Sequence, residues 1–468
     1  MPPKGWIVSD AQSYCTKIAD GTHDSPKQSA IGNLLVTSKN IIDGELDLSK
    51  SYFISEEDYS KINRRSKVDK NDVLLSMIGT VGQACVVEQE PNFAIKNVGL
   101  LKNDDPIKAK WLYFYLSSPK AQQLIKERLK GTTQQYLSLG EIRKLPVFYP
   151  ESHDVMKRVV YFLDSLRKKI IINNSVSRTL EQMAQALFKS WFVDFEPVKA
   201  KMAVLEAGGS QEDATLATMT AISGKDVNAL AIFEREHPAQ YAELKATAEL
   251  FPSAMQDSEL GAIPKGWRGA SISEMGKVTC GKTPSKKEPE YYGSDVPFIK
   301  IPDMHGQLFV LKTNEYLSEV GSKSQLKKLV PANSICVSCI ATIGVVSITN
   351  EPSHTNQQIN SVTPHKSSLL YYLYFCMLGL KDHLHALGSA GSATLNVNTS
   401  TFSGIKIAQP DAKVLELFHA KCTHLFNEIK SLSVQTESLT QLRDTLLPKL
   451  LSGEITLPEA EQIISEEA

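Results

Sequence analysis

The 468-residue sequence predicts an α/β protein: two tandem mixed α/β domains, separated by two long helices that form an antiparallel coiled coil under a pseudo-twofold repeat. Three observations predict it. The chain repeats once at an offset of about 260 residues. Pro3-Lys4-Gly5-Trp6 returns as Pro264-Lys265-Gly266-Trp267, Ile78-Gly-Thr-Val-Gly82 as Ile340-Ala-Thr-Ile-Gly344, and Trp111-Leu-Tyr-Phe-Tyr115 as Tyr371-Tyr-Leu-Tyr-Phe375. Each copy opens with short β-rich runs that stop at glycine-bearing turns. Each copy ends in a long stretch of heptad spacing without glycine or proline.

In chain order, residues 1–150 form the first α/β domain. Strand-like runs such as Asp72-Val-Leu-Leu-Ser-Met-Ile78 precede an amphipathic helix near 109–130, and a last strand closes at Pro150. Residues 151–200 form the first long helix. Its 4,3 seam is Val155, Val159, Phe162, Leu166, Lys169, Asn173, Val176, Leu180, Met183 and Leu187. Residues 201–262 read as an acidic insertion or linker, with a helix around 226–249. Residues 263–410 repeat the α/β domain, with a helix near 369–388 and a last strand closing at Pro410. Residues 411–455 form the second long helix, and 456–468 a tail. The second seam is Val414, Phe418, Lys421, Leu425, Glu428, Leu432, Gln435, Leu439, Leu442 and Leu446. About 35 helical residues make a rod of roughly 50 Å. Polar seam residues near mid-length in both helices are the kind that set pairing register.

Composition narrows the function classes. The hydrophobic fraction is 42% and the charged fraction 22%, as in soluble globular proteins. The start lacks the apolar stretch of a signal peptide, and the longest apolar run, 369–380, is too short to span a bilayer. Seven cysteines without framework spacing fit a reducing cytoplasm, which is the expected location. The net charge of −1 hides a division. Residues 1–150 carry 20 basic and 17 acidic side chains, residues 261–410 carry 14 and 9, but residues 201–260 carry 4 and 10. Mildly basic repeats around an acidic connector are compatible with nucleic-acid binding through local patches.

Most catalytic motifs fail on context. Gly276-Lys-Val-Thr-Cys-Gly281-Lys282-Thr283 satisfies the phosphate-loop spacing, but Pro284 follows where a helix must start, and Gly21 at the equivalent place has no such loop. Cys336 and Cys339 have the gap of a metal pair without a second pair, so they read as buried thiols. His383 and His385 have no convergent carboxylates. No catalytic residue, metal site or cofactor is expected on this chain.

Polar loops recur instead at matching places in both halves. In the first, the candidates are Thr22, His23, Lys27, Thr80, Gln83, Thr132, Thr133, Gln134 and Gln135. In the second they are Lys282, Thr283, Ser285, Lys286, Lys287, Thr342, Ser392, Thr394 and Asn396. Glycines in these loops allow close backbone approach, Ser, Thr and Lys reach phosphates, and Gln or Asn pairs with adenine edges. Matching positions with unlike side chains point to recognition of two different sequences.

Together these features resemble the specificity subunit of type I restriction-modification enzymes. The resemblance rests on Ile263-Pro-Lys-Gly-Trp267, Gly281-Lys-Thr-Pro-Ser285, Ile340-Ala-Thr-Ile-Gly344, and the long helices after Pro150 and Pro410. Leu187-Phe-Lys-Ser-Trp-Phe-Val-Asp-Phe-Glu-Pro197, Leu250-Phe-Pro252 and Asp257-Ser-Glu-Leu-Gly261 add to it. The family departs from this chain in residues 202–250, longer than a connector needs, and at the helix starts after Pro150 and Pro410.

The resemblance implies two target recognition domains, each reading half of a split, asymmetric site in double-stranded DNA. A helical spacer would fix the gap and dock two modification subunits. Those would carry S-adenosylmethionine and methylate adenine, while restriction and motor subunits use ATP and Mg. Two other readings stand beside it: a free-standing DNA methyltransferase or nuclease with unrecognised motifs, and a coiled-coil adaptor without DNA affinity.

Overall fold

A computed structural model describes residues 5–132, 134–389, 395–460 and 462. The chain divides into two units, Met1–Ile172 with Thr436–Ala468, and Asn173–Gln435, so each unit holds one α/β head and a stretch of both long helices.

In the first unit, strand Trp6–Asp10 pairs antiparallel with Pro146–Pro150 and ties the two ends of the head together. A four-stranded sheet runs in the order Lys17–Asp20, Val98–Lys102, Val73–Ser76, Ala84–Val86. A second sheet orders Tyr52–Ile54, Asn33–Val36 and Phe93–Ile95, the last two parallel. The central strand is buried on both faces. Val73 and Leu75 face a core built by the helices, with Trp111 and Leu112, while Leu74 faces a second core with Val36, Ile95 and Leu100. This two-sided burial explains why the run reads as continuous apolar sequence rather than an alternation.

The second unit repeats the plan. Arg268–Ser271 pairs with Lys406–Gln409. A five-stranded sheet contains Gly276–Cys280, Ile359–Pro364 and Ile335–Ser338, and a smaller one pairs Val296–Ile299 with Tyr316–Leu317 and, in parallel, with His354–Thr355. Cys336 and Cys339 fall into different cores, Cys336 beside Ile299 and Ile359, Cys339 beside Ile335 and Val337. They are separate buried thiols.

Three expectations about helices need correction. The span 109–130 is two helices, Pro106–Ser117 and Pro119–Lys126, because Pro119 cannot continue the first and Ser118 caps the second. The span 369–388 likewise divides into Leu370–Gly379 and Lys381–Ser389. The helix near 226–249 breaks at Pro238 into Val227–Glu236 and Pro238–Glu249. With Glu196–Glu206 and Gln211–Ser223 these make a four-helix group, with a small core of Met219, Leu230 and Ala248. Buried Lys201 anchors it by donating to the carbonyls of Ala248 at 3.2 Å and Phe251 at 2.8 Å.

The long helices are His153–Phe192 and Ala412–Ser452, of 40 and 41 residues. In the first unit Met156, Val159, Val160 and Leu163 share a core with Leu446, Leu447, Leu450 and Leu451. In the second, Ala184, Trp191 and Phe192 share one with Val414, Phe418, Cys422 and Phe426. The strict 4,3 register is corrected at Val176 and Met183, which are 39% and 55% exposed. On the second helix Cys422 and Phe426 are fully buried, one position beyond the expected Lys421 and Leu425. The cause is that these helices pack on their heads as well, which demands a broader stripe with the true 3.6-residue period.

The supposed phosphate loop is settled by the same geometry. Gly276–Cys280 is a sheet strand, and residues 281–288 contain no helix. Gly281 and its counterpart Gly21 serve close backbone approach: an added Cβ would lie 2.2 Å from Asn356 O and 2.2 Å from Ile95 O. Alanine at either position is expected to cost about 1–3 kcal/mol. Gly140→Ala, where a Cβ meets open space, serves as the control. Thermal melting checks both, and equal midpoints for all three variants would refute the steric account.

Candidate nucleic-acid interface

Sheet topology gathers the recurring loops of the first head. Lys17–Asp20 and Val73–Ser76 both run antiparallel to Val98–Lys102, with Asp20 opposite Gly99 and Ser76 opposite Val98. Their C-terminal ends therefore share one end of the sheet. Residues 21–27 leave the first strand there, residues 77–83 leave the second, and Lys96-Asn97 enters the third. The segment 130–136 joins them through bridges Ile78↔Tyr136 and Lys130↔Tyr136 and a bond from Leu137 N to Met77 O of 2.9 Å. Thr22, His23 and Lys27 are thus brought to the same sheet end as Thr80, Gln83, Thr132, Gln134 and Gln135. Thr133 lies outside the described residues.

Side chains brace this end. His23 lies 3.0 Å from the Asp20 carboxylate through Nε2 and 2.8 Å from Asn97 Oδ1 through Nδ1. Arg65, near the end of helix Glu56–Ser66, donates to Gly21 O at 2.8 Å and pairs with Asp20 at 3.1 Å. Lys96 Nζ donates to Ser25 Oγ. A cleft of about 670 Å³ opens between residues 22–27 and that helix, lined by Lys27, Lys61 and Arg65 along with Asp24 and Asp58. The 77–83 turn is rigid, since Ser76 Oγ donates to Thr80 O and accepts from Gln83 N at 2.9 Å. Gln134 and Gln135 are exposed.

The second head does the same with different groups. Gly276–Cys280 and Ile335–Ser338 are both antiparallel to Ile359–Pro364, so residues 281–287 and 339–344 leave one sheet end together. Asn396 bridges Ile340, and Ala341 N donates to Leu395 O at 3.0 Å. Lys282, Thr283, Ser285, Lys286, Lys287, Thr342 and Asn396 are thereby gathered, whereas Ser392 and Thr394 lie outside the described residues. Thr283 Oγ1 donates to Gln357 Oε1 at 2.6 Å, and Gln325 Nε2 donates to Lys282 O at 3.1 Å.

Sequence reasoning missed Lys96 and Asn97 in the first head and Asn356 and Gln357 in the second, which occupy the third strand's approach to the same end. Their signal was available: they correspond at the repeat's offset of about 260. Chemically, each end offers exposed amide and hydroxyl groups on a hydrogen-bonded frame with lysines beside them, joined by Arg65 in the first head. That set suits hydrogen bonding to base edges flanked by phosphate contacts. Among the described residues no cluster of His, Cys, Asp and Glu fits a metal ion, and no helix is long and apolar enough to cross a membrane.

Comparison with known proteins agrees with this arrangement of two heads. The family model "Type I restriction modification DNA specificity domain" matches residues 32–182 and again 264–431. The chain is 41% identical over 405 residues to the type I restriction enzyme HindI specificity subunit of Haemophilus influenzae, covering 84% of this chain and 88% of that protein. It is 22% identical to the MjaIX specificity subunit of Methanocaldococcus jannaschii over 83% of this chain and 79% of that one. Among solved structures, the type I restriction-modification S subunit from M. genitalium shares the fold, with a TM-score of 0.52 over 95% of this chain and 96% of that one at 13% identity.

Proposed function

The chain belongs to the type I restriction-modification DNA specificity family, and from that premise we propose that its two heads each read one half of a split, asymmetric site in double-stranded DNA. It is a specificity subunit, and catalysis resides on the subunits it assembles with. The observation that carries the reading is the paired sheet ends. Each gathers three polar segments on the same frame, yet at matching positions Gln83 of one head is Val345 in the other, Gln135 is Leu395 and Tyr136 is Asn396. A common frame with unlike side chains suits two unlike half-sites.

The helices supply the spacing. In each unit the early part of one long helix shares a core with the late part of the other, which supports antiparallel pairing of 153–192 with 412–452. Such a pair holds the half-sites at fixed separation and offers a surface to two modification subunits. S-adenosylmethionine, ATP and Mg then belong to the modification, restriction and motor subunits, within the cytoplasm. The domain limits 1–150, 151–200, 201–262, 263–410 and 411–455 divide the chain into reader, spacer, insertion, reader and spacer.

The test is to sequence the methylated positions in DNA exposed to this chain with its modification partner. Two short motifs at constant separation are expected. Exchanging residues 130–136 for a relative's segment should change one motif and leave the other. A change in both motifs would defeat the one-head, one-half-site assignment. Methyl transfer by the chain alone would favour a free-standing enzyme.

A further inference from the structure

A helix follows strand Tyr52–Ile54 in the first head and the corresponding strand Tyr316–Leu317 in the second. In the first it is Glu56–Ser66, capped by Ser55, whose side chain accepts from Asp58 N. In the second it is Glu319–Ser324 with the short turn Leu326–Lys328, capped by Ser318, whose side chain accepts from Gly321 N. Counted from these caps, Arg64-Arg65 and Lys327-Lys328 fall at identical positions. Two adjacent cations thus recur in heads whose reading loops have diverged.

Their surroundings divide the labour. Arg65 is spoken for: it donates to the Asp20 and Gly21 carbonyls at 3.2 and 2.8 Å and pairs with the Asp20 carboxylate. In the second head Gln325 performs the corresponding service, donating to Lys282 O. Arg64, Lys327 and Lys328 have no ion-pair partner among the described residues, and Arg64 and Lys327 are exposed. The first-turn acids Glu56, Glu57 and Asp58 lie at the opposite end of the first helix. The C-terminal end thus presents positive charge without an ion-pair partner among the described residues. It is adjacent in sequence to Arg65 in the first head and two residues beyond Gln325 in the second, the groups that hold the reading loops.

Resting on the reading of the heads as DNA binders, we infer that Arg64 in the first head and Lys327-Lys328 in the second grip backbone phosphates. Arg65 and Gln325 are positioning residues that hold the adjacent loop at its reading height. Phosphate contacts carry no sequence information, so they are free to recur unchanged while the base contacts differ. This explains why the first cation of the pair, Arg64 or Lys327, recurs while the loops do not.

The test uses the full chain with its modification partner. Binding is titrated across a range of salt concentrations, on a duplex containing the methylated site and on a scrambled duplex. Arg64→Gln, and separately Lys327→Gln with Lys328→Gln, should flatten the slope of log affinity against log salt by about 0.9 per lost contact. The loss should be equal on both duplexes, the methylated sequence unchanged, and the melting temperature that of the parent. Arg65→Gln should instead relax the first half-site's sequence. An unchanged salt slope overturns the inference, as does altered sequence preference in Arg64→Gln. A parent complex that binds neither duplex would overturn the DNA-reading function itself, a result distinct from variants that merely match the parent.

Discussion

Arg167→Ala is expected to destabilise the first unit by about 3 kcal/mol, the lower end of the range for breaking a buried ion pair. The side chain is only 7% exposed, on the long helix where it meets the head. It reaches Glu45 at 2.5 Å, Glu88, and Asp164 at 3.1 Å, and its guanidinium carbon lies 5.8 Å over the Tyr113 ring. Burial opposes its charge, but the three carboxylates outweigh that and hold its pKa above the ordinary arginine value. Removing it strands Glu45 and Glu88, which are partly exposed and can rehydrate, beside Asp164, which keeps Lys110 at 2.6 Å. That remaining compensation places the estimate at the lower end. Urea denaturation of the full chain measures the loss. Arg167→Lys should recover little of it, because one ammonium cannot span three carboxylates in a planar fork. A loss below about 1 kcal/mol would show the network to be no stronger than a surface pair.

The second unit solves the same joint differently. Phe426 stands at the equivalent helical position and packs on Tyr371 at 4.2 Å, Tyr374 at 5.7 Å and Phe375 at 6.0 Å. At this helical position one head meets its helix through ions and the other through aromatic rings. The sequence shows why this escapes notice. Heptad reading admits apolar residues and discards an arginine, and Arg167 becomes intelligible only once Glu45, 122 residues away, is folded against it.

The same distinction separates what is legible from what is not. The repeat, the polar loops and the helical periodicity are local patterns, so they can be read directly. Pro119 announces its helix break in sequence, although the heptad-like apolar run obscures it. The gathering of residues 22–27, 77–83 and 130–136 at one sheet end depends on strand order, which local pattern does not encode. Lys96, Asn97 and the Arg64-Arg65 pair carry only the repeat's offset as a signal: each sits in ordinary sequence and gains meaning as a candidate from what the topology sets beside it.

Acidification is expected to weaken the second unit through His354. Its side chain is fully buried in strand His354–Thr355, opposite Phe298, with Nε2 2.9 Å from Ser322 Oγ and Nδ1 3.5 Å from Gln325 Nε2. Burial pushes its pKa down to about 4. Between that value and the unfolded value of about 6.5 the unfolded chain takes a proton that the folded chain refuses. Stability is therefore complete above about pH 6.5 and falls as pH drops through the window, by up to about 3 kcal/mol near pH 4. Ala94 occupies the equivalent strand position in the first head, paired parallel to Leu35, so the shared frame does not require an imidazole there. His354→Phe should flatten the urea midpoint's dependence on pH in this window, and subtracting variant from parent removes the background of other titrating groups. A variant with the parent's full pH slope would acquit His354. The consequence reaches the interface because Gln325, beside the imidazole, also holds the carbonyl of Lys282. Folded His354 takes its proton only near pH 4, so displacement of Gln325 and loosening of the second head's reading loop belong to the bottom of the window. Fidelity at that half-site should hold while stability declines from about pH 6.5, and fall only toward about pH 4.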